Sequence, residues 1–89
     1  MIQIAFSSTF KRSFKGKVRV QKDLEEKFWH RVEIFKENPF DGRLRTHKLS
    51  GRLKDLWSFS VEYDVRVIFY FVDDGKVVFV DIGVHDEVY

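Results

Sequence analysis

The 89-residue sequence contains no cysteine and a single proline. The absence of cysteine excludes disulfide bonds and thiolate-bound metal ions, and it fits a reducing compartment. No apolar run approaches the roughly 18 residues that a membrane span needs, and no basic and apolar leader is present. The sequence therefore predicts one soluble, cytoplasmic domain over residues 1–89, with no membrane association.

Cofactor motifs are also absent from the sequence. It has no glycine-rich phosphate loop, no pair of histidines at metal-ligand spacing and no nucleophile motif. We therefore expect neither a cofactor nor a metal ion, so any catalysis would depend on side chains alone.

Charge is distributed unevenly along the chain. Residues 1–54 contain 14 Lys and Arg against 6 Asp and Glu, a net charge of +8, whereas residues 55–89 contain 2 against 8, a net charge of −6. The first basic segment comprises Lys11, Arg12, Lys15, Lys17 and Arg19, and the second comprises Arg43, Arg45, Lys48, Arg52 and Lys54. If the fold joins the two segments, their surface would suit phosphates; a solvated surface without a ligand is the alternative.

Apolar periodicity predicts two helices after a short first strand, Ile2–Phe6. The residues Leu24, Phe28, Val32 and Phe35 recur at spacings of four, four and three, which indicates a helix from about Val20 to Glu37. A shorter helix is predicted over residues 8–16, beginning after a hydroxyl cap in "SST" and ending at Gly16.

The remaining sequence is typical of a sheet. A short strand or extended loop is predicted around "RTHKLSG", followed by strands over Leu56–Glu62, Val65–Val72 and Lys76–Ile82. In the first of these three strands, Trp57, Phe59 and Val61 alternate with Ser58, Ser60 and Glu62, which indicates one buried and one open face. We expect an α+β fold of order β-α-α-β-β-β-β, with both helices on one face of a small, mainly antiparallel sheet.

Arg66 interrupts an otherwise apolar strand, where a charge is costly unless it is paired or used. One interpretation is a salt bridge to Glu62 or Asp81 across the sheet, and the other is an anion site on the open face. His47 lies within the second basic segment, while His85 and Tyr89 follow the last strand. For His47 and His85 the alternative is an ordinary solvated side chain. For Tyr89 the alternative is a hydrophobic contact that holds the end of the chain against the domain.

Together, Arg66, His47, His85 and Tyr89 suit one reaction that needs no cofactor. In RNA cleavage by the neighbouring 2′-hydroxyl, a base accepts the hydroxyl proton, an acid protonates the 5′-oxygen, and positive charge stabilises the phosphate. Tyr89 could in addition stack on a nucleobase.

Three stretches resemble the RelE/ParE superfamily of bacterial type II toxins. They are "HKLSG" (His47–Gly51), "LWSFSVEYDVRVIFYFV" (Leu56–Val72) and "IGVHDEVY" (Ile82–Tyr89), and the likeness spans essentially the whole chain. The resemblance is greatest to the RelE, YafQ and YoeB mRNA interferases. It implies the RelE-like microbial RNase fold and a metal-independent endoribonuclease that cuts mRNA on the ribosome and inhibits translation.

The resemblance also implies roles for particular residues. His47 takes the place of a catalytic histidine of the YafQ type, Arg66 that of the arginine that contacts the scissile phosphate, and His85 and Tyr89 match the YafQ ending. The second basic segment would bind RNA phosphates. The chain departs from YafQ relatives by lacking a histidine within residues 60–65, and from YoeB relatives by having Phe59 and Ser60 in place of basic residues.

Partners follow from the same resemblance. They would be a cognate antitoxin, the ribosome and mRNA, and the toxin–antitoxin complex could bind operator DNA through the antitoxin. Because the catalytic set is a hybrid, two other functions stay open: a ParE-like DNA gyrase poison, and a catalytically weak homologue that only binds its antitoxin.

Overall fold

The computed structural model describes residues 1–84, so the predicted site residues His85 and Tyr89 lie outside the described residues. The elements are β1 (Gln3–Phe6), α1 (Ser8–Ser13) continuing into a π-helical turn (Phe14–Val18), α2 (Lys22–Glu37), β2 (His47–Lys48), β3 (Trp57–Glu62), β4 (Val65–Asp73) and β5 (Lys76–Val84), with 3₁₀ turns at Gly42–Leu44 and Gly51–Leu53. The predicted order of helices and strands is confirmed.

The five strands form one mixed sheet in the order β1-β5-β4-β3-β2. β1 pairs with β5 in parallel, and the other three pairs are antiparallel. Both helices pack on the same face, where α1 contacts β5 and α2 contacts β3. The predicted α+β architecture is therefore correct, and the two shortest strands, β1 and β2, lie at opposite edges.

The predicted stripe of α2 is fully buried, and Ile34 joins it. The expected stop at Gly16 is wrong, because the backbone continues through Val18 in a π-helical turn with Arg19 N–H donating to the Phe14 carbonyl oxygen at 2.9 Å. Phe14 and Val18 are both buried against the core. Their packing holds the chain helical past a glycine that would favour termination.

Aromatic rings dominate the core between the helices and the sheet. Phe79 of β5 lies centrally, since its ring centroid is 5.5 to 6.4 Å from those of Phe6, Phe10, Phe28, Phe35, Phe59 and Phe69. All six pairs are tilted or edge-to-face, the arrangements that the ring quadrupole favours. Trp57 also faces the helix side but is only half-buried, because it packs at the end of the core against Phe40 and Phe71.

Three register shifts interrupt the antiparallel ladders, and the third, between Phe71 and Asp73, lies next to the β4–β5 turn. Ser60 pairs with Arg66 and Glu62 with Val65, which leaves Val61 as an extra residue in β3. In β5 the extra residue is Val80, whose carbonyl oxygen accepts a 2.7 Å hydrogen bond from the Ser7 hydroxyl. The same hydroxyl oxygen accepts from Phe10 N–H, so Ser7 is both the N-cap of α1 and its attachment to the sheet.

Within residues 1–84, no helix has the length and apolar character needed to span a membrane.

Candidate active site

The sheet face opposite the helices, here called the outer face, carries the two described residues predicted to be catalytic. Paired residues of neighbouring strands point to the same side, so the register identifies rows across this face. One row contains Ser60, Arg66 and Gly83. The next contains His47, Ser58, Ile68 and Asp81. The fold therefore brings Arg66 and His47 to the same face, in adjacent rows.

The outer face is less open than the alternation in β3 predicts. Ser58, which was expected to face solvent, is fully buried, as is its neighbour in the row, Ile68, at 3% exposure. Ser60 and Asp81 are half-buried. Glu62, which was expected on the open face, lies on the helix side instead, because the bulge at Val61 shifts the alternation: Glu62 pairs with the buried Val65, and its carboxylate lies 3.8 Å from Lys27 of α2. The expected open face is therefore open only in part, and its centre is formed by the buried Ser58 and Ile68.

Arg66 is held by backbone carbonyl groups and not by a carboxylate. One guanidinium nitrogen donates to the carbonyl oxygen of Glu62 at 2.9 Å and of Val65 at 3.4 Å. The Glu62 carboxylate instead lies 3.8 Å from Lys27 Nζ, and that of Asp81 accepts from Ile82 N–H. Among residues 1–84, Arg66 has no ion pair, so the predicted salt bridge to Glu62 or Asp81 is not formed.

The bulge in β3 explains this arrangement of Arg66. It lets the carbonyl of Val61 face α2, where Arg31 Nε donates to it at 3.3 Å, while the next carbonyl, of Glu62, accepts from Arg66. Bulges of this kind commonly redirect a side chain beside a functional site. A guanidinium group has five N–H donors, so these two contacts orient Arg66 and leave it donors suitable for an anion.

His47 is positioned by the turn that precedes β2. Arg45 adopts a left-handed backbone conformation, with φ of 52°, and its carbonyl oxygen lies 3.1 Å from His47 Nδ1. A proton on Nδ1 donated to this carbonyl makes Nε2 the basic atom of the neutral ring. The chain then turns at Gly51, whose φ of 67° lies in the left-handed region that favours glycine, which accounts for the glycine in "HKLSG".

The distance between His47 and Arg66 follows from the spacing of the strands. His47 and Arg66 are two strands and one row apart, which corresponds to roughly 12 Å between Cα atoms. An arginine and a histidine side chain that converge from this distance can contact opposite sides of one phosphodiester group. Geometry of this kind would allow a proton transfer on one side and charge stabilisation on the other.

The second basic segment is exposed, but its members differ in their surroundings. Lys48 pairs with Trp57 and so lies on the helix side of β2, opposite to His47. Arg43 donates two hydrogen bonds of 2.9 Å to the Asp41 carboxylate. This side-chain contact, with the Arg43 backbone N–H, lowers the pKa of Asp41 to about 2, and the pKa of Arg43 is raised by the same carboxylate. Arg43 therefore offers less uncompensated charge than its neighbours.

The two basic segments do not form one continuous surface. The first lies on α1 and the π-helical turn, which pack against β5. The second lies along β2 and its flanking 3₁₀ turns, with β3 and β4 between β2 and β5. The condition for one joint phosphate-binding surface is therefore not met, because the chain crosses from one edge of the sheet to the other through α2.

Residues 1–84 contain no group of three or more His, Asp or Glu side chains that could hold a metal ion.

Sequence reasoning overlooked Tyr70, which is exposed on the outer face between the buried Phe69 and half-buried Phe71. Its signal was present in "VRVIFYFV", where strict alternation groups Arg66, Ile68 and Tyr70 on one face.

Structural comparison defines the class of protein. YafQ from E. coli strain BL21(DE3) superposes with a TM-score of 0.81 at 21% identity, covering 100% of this chain and 99% of that one. A YoeB/ParE toxin from Agrobacterium tumefaciens gives 0.80 at 16% identity, covering 94% and 99%. The toxin in the E. coli DinJ–YafQ complex gives 0.74 at 22% identity, covering 100% and 99%. The fold is thus that of the YafQ and YoeB/ParE toxins.

Sequence comparison defines the family. The family model of the bacterial toxin YafQ, of type II toxin–antitoxin systems, matches residues 2–89. The chain belongs to this YafQ toxin family, which confirms the resemblance noted from the sequence. No individual curated protein matches it in sequence.

Proposed function

We propose that this toxin is a metal-independent endoribonuclease that cuts mRNA on the ribosome and is neutralised by a cognate antitoxin. The observation that carries the proposal is Arg66, a half-buried arginine in a central strand that has no carboxylate partner among residues 1–84. Keeping such a charge in a sheet is costly, and binding an anionic group would offset that cost. His47 on the same face supplies a group able to exchange protons.

The proposed mechanism assigns one task to each side chain. The RNA 2′-hydroxyl loses its proton to a base and attacks the adjacent phosphate, forming a 2′,3′-cyclic phosphate as the 5′-oxygen leaves with a proton. Arg66 stabilises the negative charge that builds on the phosphate oxygens. His47 Nε2 exchanges one of the two protons. His85 would exchange the other and Tyr89 would stack on or orient a nucleotide, as the YafQ ending implies.

The antitoxin is the second part of the proposal. In the E. coli complex the related toxin is bound to DinJ. We infer that this chain is likewise captured by an antitoxin, and that an acidic antitoxin segment covers basic residues of the toxin. Because attraction between exposed charges is screened by salt, the affinity of this complex should fall as salt is added. Any binding of operator DNA would come from the antitoxin.

The test is cleavage of mRNA on programmed ribosomes, with 5′ ends mapped by primer extension. Wild type should cut, and Arg66→Ala should cut about 10²–10³-fold more slowly, the usual effect of removing one group that stabilises a charged transition state. Arg66→Lys keeps the charge but not the planar fork and should fall between them. Lys27→Ala is the matched control, because it removes an exposed cation next to Glu62 without removing one from the outer face.

Two outcomes would contradict the proposal. If wild type leaves mRNA intact but inhibits DNA gyrase in a supercoiling assay, the protein is a gyrase poison of the ParE type. If it does neither and still binds the antitoxin, it is a binding homologue without activity.

A further inference from the structure

Tyr70 lies on the outer face although it is surrounded in sequence by core residues. It pairs with Val78 of β5 and follows Ile68, which pairs with Asp81. Phe69, its preceding neighbour, is fully buried on the helix side. Tyr70 therefore shares a face with Arg66, four residues away along β4, or about 13 Å between Cα atoms.

The ring of Tyr70 is partly exposed. It is 39% exposed, and within residues 1–84 its hydroxyl has no hydrogen-bond partner. A tyrosine placed for packing alone would be expected to bury its ring or to pair its hydroxyl. An exposed aromatic side chain in a rigid central strand instead offers a flat surface at little cost in side-chain entropy, because it has only two rotatable bonds.

The surroundings of Tyr70 complement a nucleobase. Val78 of β5 pairs with Tyr70, and Ala5 of β1 pairs with Val78, so both residues lie in the same row as Tyr70 on the outer face. Both are half-buried. Along β4 from Tyr70, the next row of the outer face contains His47, and the row after that contains Arg66. Single-stranded RNA offers partners for both ends of this face, since its bases are flat aromatic rings and its phosphates are anionic.

We propose that Tyr70 is a stacking platform for a nucleobase of single-stranded RNA whose phosphate lies at Arg66. This rests on the proposed RNA cleavage and names a binding subsite for it. His47 lies in the row between the two contacts, so holding the base at Tyr70 would help to align the scissile bond with the imidazole. Because every base has a π face, the contact should fix position and depend little on base identity.

Binding should be measured with a fluorescent 2′-O-methyl oligoribonucleotide, which lacks the attacking hydroxyl and is not cut. Tyr70→Ala should bind about 10-fold more weakly, in keeping with the usual cost of losing one base–aromatic contact. Tyr70→Phe should bind like wild type. Tyr70→Leu, which keeps apolar area but no π face, should bind as weakly as Tyr70→Ala. Tyr63→Ala is the matched control, since Tyr63 is a tyrosine of the β3–β4 turn with 93% exposure.

A scan of abasic positions along the oligonucleotide locates the contact. One abasic position should weaken wild-type binding as much as Tyr70→Ala does, and Tyr70→Ala should lose nothing further there. The inference is overturned if wild type shows no binding, if Tyr70→Leu binds like wild type, or if Tyr63→Ala loses as much as Tyr70→Ala. It is also overturned if Tyr70→Ala weakens antitoxin capture and not RNA binding. Tyr70-dependent RNA binding without mRNA cleavage would instead disprove the proposed function and leave this subsite standing.

Discussion

The two faces of the sheet differ in burial and in polarity. On the helix side, Phe59, Phe69 and Phe79 are completely buried within the hydrophobic core. On the outer face, the same three strands contribute Ser60, Arg66 and Asp81, all half-buried. Burial of the helix-side residues stabilises the folded protein. The outer face retains polar and charged groups, whose partial burial destabilises the folded protein unless a ligand or a hydrogen bond compensates them. The difference separates residues that stabilise the protein from residues available for function.

The largest expected effect is on the helix side. Phe79→Ala should lower the free energy of unfolding by about 3–5 kcal/mol, because it removes a ring that contacts six others and leaves a cavity. Urea unfolding monitored by circular dichroism would measure this. Phe40→Ala, at a ring that is 55% exposed, should cost clearly less. Equal losses for the two variants would contradict the assignment of Phe79 to the centre of the core.

The second effect tests the outer face. His47→Ala should slow cleavage of ribosome-bound mRNA by about 10²–10⁴-fold, the range typical of general acid–base groups, while the urea midpoint stays near that of wild type. His30→Ala provides the control, because His30 is an exposed histidine on α2. Unchanged cleavage by His47→Ala would remove His47 from the mechanism. A large loss of stability would instead assign it to the structure.

A smaller effect distinguishes members of the second basic segment. Arg52→Ala should reduce the slope of log affinity against log salt for RNA by about 0.7, the value for one lost phosphate contact with a single strand. Arg43→Ala should change the slope less, since Asp41 already compensates the charge of Arg43. Titration of oligonucleotide binding between low and high salt gives both slopes. A greater change for Arg43→Ala would show that RNA displaces Asp41.

The smallest effect concerns Asp41 and acid. Its pKa is lowered from 3.8 to about 2 in the folded protein, so the unfolded chain takes up this proton first as the pH falls. The contribution of Asp41 to stability is therefore complete above about pH 4 and is lost as the pH approaches 2. NMR titration of the Asp41 carboxyl group should show the low midpoint, and Arg43→Ala should return it toward 3.8. An unchanged midpoint in Arg43→Ala would contradict the assigned cause.

The sequence predicts the elements of this fold better than its site. Periodicity identifies α2 and the helix-side residues of β3 correctly, because burial of one face leaves a regular apolar pattern. It misplaces the end of the first helix at Gly16, where packing of Phe14 and Val18 overrides local propensity. It also misses Tyr70, because a run of apolar residues conceals which of them face outward.

The sequence by itself determined the order of the elements, the apolar stripe of α2 and the presence of an unusual charge at Arg66. Only the tertiary structure decided that β1 pairs in parallel with β5, that His47 shares a face with Arg66, and that the two basic segments lie apart. The physical reason is the range of the interactions. Periodicity and capping depend on residues within a few positions of one another, whereas strand register and the partners of Arg66 depend on which distant segments bury their apolar faces together.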